Sequence, residues 1–113
     1  MPADFDSIEW IPQAILDIPV DYFVRKFGLL FHQGQDDLDL YEGANLHLPD
    51  GRPYALRHYR GYPADTVAIY LPIEVQDIDE ISTVVRTIIA SWNLSPNNIR
   101  WERRDGVTQL GPK

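Results

Sequence analysis

The chain has 113 residues, 44% of them hydrophobic and 12% aromatic, which suits one compact domain and excludes a disordered tail. Seventeen acidic residues against ten basic ones give a formal charge of -7, which argues against sequence-blind nucleic-acid binding and against docking on an anionic membrane. There is no cysteine, no leader-like pattern in MPADFDSIEW and no apolar run of ~18 residues, so disulfides, thiol chemistry and membrane spans drop out and a cytoplasmic protein is expected.

The charge is uneven. Residues 1–50 hold ten acids and two bases (Arg25 and Lys26), whereas residues 51–113 hold seven acids and eight bases. No internal repeat is present, so residues 1–106 are read as a single domain and 107–113 as a flexible tail.

In chain order, Pro12 and Pro19 forbid one long N-terminal helix and suit the starts of two short ones. Pro12–Asp17 is predicted as a short helix. Pro19–Phe27 is the better helix, with Val20, Phe23, Val24 and Phe27 on one stripe and Gly28 as a left-handed cap. Leu29–His32 reads as a brief strand or the helix exit, and Gln33–Asp39 as a polar, acidic loop. A hairpin follows: Leu38–Leu48 and Arg52–Arg60 flank Pro49-Asp50-Gly51, a type I turn closed by a G1 bulge. That turn pairs Leu48 with Arg52, Leu46 with Tyr54, Ala44 with Leu56 and Glu42 with His58. It gathers Ala44, Leu46, Leu48, Tyr54 and Leu56 on one face, so turn chemistry and apolar pattern agree.

Thr66–Glu74 is a strand with Val67, Ile69, Leu71 and Ile73 on one side, and Pro72 placing its end at an edge or bulge. Asp77 and Glu80 form a capping-box pattern before a helix over 78–92, whose stripe is Ile78, Ile81, Val84, Val85, Ile88, Ile89 and Trp92. Asn93 ends it. Ile99–Arg104 is a last strand with Ile99 and Trp101 inward. The fold class is α+β: an antiparallel sheet of three to four strands, one major helix on one face and short N-terminal helices, in the order α-(α)-β-β-β-α-β.

Phosphate-loop, dinucleotide, nucleophile-elbow and zincin motifs are all missing, and no cofactor is expected. The register puts His47 and His58 on opposite faces, so they cannot share an ion; His32 with Asp36, Asp37 or Asp39 is a solvated acidic loop more readily than a metal site. His58 opposite Glu42 is either an acid/base pair or a cross-strand pair at the margin of the apolar face, the second being the simpler reading.

The other hairpin face carries Tyr41, Asn45, His47, Arg57 and Tyr59, and strand parity adds Tyr70, Arg100 and Arg104. An open face mixing tyrosine and arginine is a candidate binding surface. A solvated face, or one packed on the N-terminal helices or on a second copy, accounts for the same residues structurally. Arg57 is paired with Gly43, so it must meet water, stack on Tyr41 or Tyr59, or engage a partner, and its loss should cost under ~1 kcal/mol of stability.

Missing catalytic constellations and an acidic first half point to a non-catalytic protein-interaction domain, such as a small adaptor, inhibitor, antitoxin- or immunity-type protein. The alternative is a small-ligand or anion-binding protein, or a small enzyme, using the open face. A homodimer is also expected, on the ground that Trp10, Trp92 and Trp101 exceed what one thin layer hides.

Overall fold

Pro12–Asp17, expected to be a short helix, falls almost wholly in a strand, Trp10–Leu16 (β1), in the computed structural model, which describes residues 7–35 and 39–103. It lies inside the sheet, between two other strands. Pro12 is tolerated because the register against its neighbour shifts between Pro12 and Ala14, and among the described residues the strand on its other side pairs Ala14, Ile15 and Leu16. A bulge is one of the places where a sheet accepts a residue that cannot donate to the ladder. Long-range pairing has overridden local preference.

The chain continues as helix α1 (Val20–Phe27), strands β2 (His32–Gln35), β3 (Leu40–His47), β4 (Pro53–Tyr59) and β5 (Val67–Pro72), helix α2 (Ile78–Ser91), a 3₁₀ turn at Pro96–Asn98 and strand β6 (Ile99–Glu102). The sheet has six strands in the order β2-β3-β4-β5-β1-β6, and every pairing is antiparallel. The α+β class with an antiparallel sheet therefore holds, but the strand count and the order do not. The two added strands are β1 and β2, and β2 falls in the segment expected to be an acidic loop. It pairs because Gly34 has no side chain: a Cβ there would come 2.5 Å from Cζ of Tyr41, whose ring crosses the strand at that point. The tail expected from residue 107 lies outside the described residues.

The hairpin forms with the expected register, Glu42↔His58, Ala44↔Leu56 and Leu46↔Tyr54. Gly51, at φ 94°, occupies the left-handed position that the turn demands, and its N–H donates to the Leu48 carbonyl at 2.8 Å. Helix α2 starts where Asp77 accepts a hydrogen bond from the Asp79 amide and ends at Ser91 with Trp92 as its cap, one residue before Asn93 at φ 59°. Gly28, at φ 71°, caps α1.

Both helices cover the same face. Ala14, Leu16, Leu56, Val67, Ile69 and Leu71 from the sheet meet Phe23 of α1 and Ile81, Val84, Val85, Ile88 and Ile89 of α2. Trp92 joins the helices: its ring meets Phe23 and Phe27 edge-on, its Nε1 donates to the Tyr54 hydroxyl, and its carbonyl accepts from Tyr22. Trp101 does not follow Ile99 inward. An extra residue, Arg100, sits between the pairs Leu16↔Ile99 and Ile15↔Trp101, and that bulge turns Trp101 to the opposite side. Glu102 returns to the helix side, buried, where its carboxylate accepts from Arg86 at 2.6 Å. Among the described residues no helix is long and apolar enough to cross a membrane.

Candidate functional site

Strand parity places Tyr41, Asn45, His47, Arg57, Tyr59 and Tyr70 on the face away from the helices. Its centre is closed, however. Tyr59 and Tyr70 are only 3% and 4% exposed and form a second buried cluster with Ala55 and Ala68, packed by Trp10, Ile15, Tyr41 and Tyr62. The Arg57 guanidinium is held within that cluster. Its carbon lies 4.4 Å from the Tyr41 ring centre and 5.1 Å from that of Tyr70, and its Nη1 donates to the Tyr59 hydroxyl at 2.9 Å. Gly43 makes this possible, since a Cβ there would approach Arg57 Cγ to 3.2 Å. Burial, then the hydrogen bond to Tyr62, pushes the Tyr70 phenol far above its ordinary pKa. Asn45 and His47 at the hairpin end remain exposed.

The other residues expected on this face separate from it. Arg100 stands at the β6 bulge and pairs with Asp17 at 2.7 Å. Arg104 lies outside the described residues. Of the tryptophans, Trp10 and Trp92 are partly buried against the two clusters, and Trp101 is partly buried outside both. The large hydrophobics left exposed are Val24, Phe27, Leu30 and Leu40.

A different concavity opens on the helix side, at the β2–β3 end. Glu42 and His58 share the parity of Ala44 and Leu56, so they sit on the helix-facing surface but past the aliphatic core. They form the common wall of two adjoining clefts. The larger, about 360 Å³, is completed by Gln33, Gly34, Leu40, Tyr41 and Arg60. The smaller, about 240 Å³, is completed by Pro19, Val20, Asp21, Asp65 and Thr66.

His58 is fixed in this bay by its Nδ1, 2.7 Å from the Thr66 carbonyl. A carbonyl only accepts, so Nδ1 carries the proton, and in the neutral ring Nε2 is left as an acceptor. No hydrogen bond or ion pair joins His58 to Glu42 across the strands, which removes the geometry of a coupled acid/base pair. Of the charged groups around them, Arg60 pairs with Asp39 at 3.5 Å and Asp21 with Arg25 at 2.7 Å. The Thr66 hydroxyl is turned away to donate to Pro63. The bay thus presents acceptors without an activated nucleophile. Among the described residues no three histidine, aspartate or glutamate side chains could hold a metal ion, and Asp36 and Asp37, weighed with His32, lie outside those residues.

Sequence reasoning located Glu42 and His58 together but missed Gln33, Leu40, Arg60 and Asp65 as their neighbours. The missed signal is Gly34, which marks β2 as a strand and so brings Gln33 beside Glu42. Tyr62 was missed too; it reaches the buried phenols from a loop, where parity has no meaning. No family model matches this chain, and neither a curated protein nor a solved structure is similar to it.

Proposed function

We propose that the chain is a non-catalytic protein-interaction domain whose partner is basic. One observation carries this reading: every large hydrophobic left exposed among the described residues falls between Val24 and Leu40, the stretch that includes edge strand β2. Leu30, at 70% exposed, is the most prominent. Exposed apolar side chains and a sheet-edge strand are features that docking surfaces of small domains use. The stretch itself holds three acids (Asp36, Asp37 and Asp39) and two bases (Arg25 and Lys26), and the half it belongs to holds ten acids against those same two bases, a net field that favours encounter with a basic partner.

The test is affinity capture from extract of the source cells with the natural chain and with Leu30→Ser, at low and at moderate salt. The expected result is a basic protein that the natural chain retains, that Leu30→Ser loses, and that added salt weakens. Equal recovery by both chains contradicts the reading, as does recovery of nothing at either salt. Light scattering on the same samples reports self-association, the competing use of the patch.

A second reading, a small-ligand protein, is favoured by the size of the larger cleft, about 360 Å³, which falls in the range of ligand sites. An anion is the poorer occupant. Arg57 is held by tyrosines and Arg60 is matched by Asp39.

A further inference from the structure

We infer that the bay between Glu42 and His58 receives a guanidinium group, the arginine side chain of the basic partner; this rests on the interaction reading above. Three features of the bay point to that chemistry. First, two acceptor-bearing residues, Glu42 and His58, line both clefts. The Thr66 carbonyl holds a His58 proton on Nδ1, so the neutral ring offers Nε2 as an acceptor, and Glu42 is the directly opposed residue of β3. Directly opposed side chains start with Cβ atoms ~4.5–5.5 Å apart, and a forked, planar donor presents N–H groups in a fixed geometry to two acceptors so placed, where an ammonium is a strongly hydrated point charge.

Second, the charge balance leaves room for a cation. Arg60 at the rim is matched by Asp39, and Asp21 by Arg25, whereas among the described residues Glu42 and Asp65 take part in no ion pair. Asp21 also sits in the first turn of α1, where its carboxylate offsets the positive end of that short helix. Third, the walls suit an aliphatic stem. Leu40 in one cleft and Pro19 and Val20 in the other offer apolar surface beside the acceptors, as an arginine chain requires when only its head is polar.

The test uses the full chain, labelled for amide NMR, titrated separately with n-butylguanidinium, n-butylammonium and inorganic phosphate. Butylguanidinium should shift the Gln33, Glu42, His58 and Thr66 amides saturably, in the millimolar range expected of a single exposed side chain. Butylammonium should bind more weakly and phosphate should leave these amides unmoved. Glu42→Gln should weaken butylguanidinium about fivefold or more, as loss of a charge-assisted bond does, while Asn45→Ala on the opposite face should change nothing. The inference is overturned if butylguanidinium gives no saturable shift, if butylammonium binds equally well, if phosphate occupies the bay, or if Glu42→Gln has no effect. These outcomes are independent of the Leu30 capture experiment. A bay that binds guanidinium while no protein is captured points to a free cationic ligand, and a captured protein with a silent bay removes the arginine anchor alone.

Discussion

On one face of the sheet, aliphatic side chains are buried under two helices, and the chemistry is that of shape and area. On the other, phenols are buried around a guanidinium, and each polar group needs a named partner: Arg57 with Tyr59, Tyr62 with Tyr70. The first face tolerates an uncovered end, where the aliphatic pattern stops at Ala44 and gives way to Glu42 and His58. The second face is tightest where its polar residues are richest. Polarity alone is thus a poor guide to where a small domain meets its surroundings; what matters is whether the polar groups already satisfy one another.

The largest effect should come from the helix side. Phe23→Ala removes a fully buried ring that ties α1 to Trp92, and should cost about 3–5 kcal/mol in chemical denaturation. Arg57→Ala comes next. It removes two ring contacts and a hydrogen bond to the Tyr59 hydroxyl, so a loss of about 1–3 kcal/mol is expected, above the figure that the sequence alone suggests. A loss well under this range would mean that the tyrosines close on themselves without the cation.

The third prediction is alkaline. Tyr70 and Tyr54 are both raised by burial, so their neutral forms are favoured in the folded chain. The associated stability is complete below the unfolded phenol value near 10 and declines as pH climbs above it. Absorbance titration should show these phenols ionising only as the chain unfolds, and Tyr70→Phe should flatten the alkaline decline. The smallest effect belongs to the bay, where Glu42→Gln, exposed and unpaired, should shift stability by about 0.5 kcal/mol or less.

Much of the hairpin was legible because two independent signals, turn chemistry and alternation, had to agree. Helix α2 was legible for a similar reason, a cap followed by an unbroken stripe. Strand β1 was not, since Pro12 reads as a helix start until β5 is there to pair with it. Strand β2 was not either, because HQGQ carries no alternation and gains its place only when Tyr41 crosses Gly34. For the site, parity correctly separated Arg57 from the aliphatic core and even anticipated its stacking on Tyr41. It could not show that this face closes, because Tyr62 arrives from a loop and Trp10 from a strand read as helix.

The account's central claim is that the tyrosine–arginine face holds the fold while the Glu42–His58 bay does the binding. Measuring denaturant stability and butylguanidinium affinity on Arg57→Ala and Glu42→Gln together tests this most directly. The account predicts that Arg57→Ala lowers stability and leaves the affinity of the folded protein unchanged, whereas Glu42→Gln keeps stability and loses affinity. The reverse pattern, with Arg57→Ala abolishing binding at full stability, would contradict it.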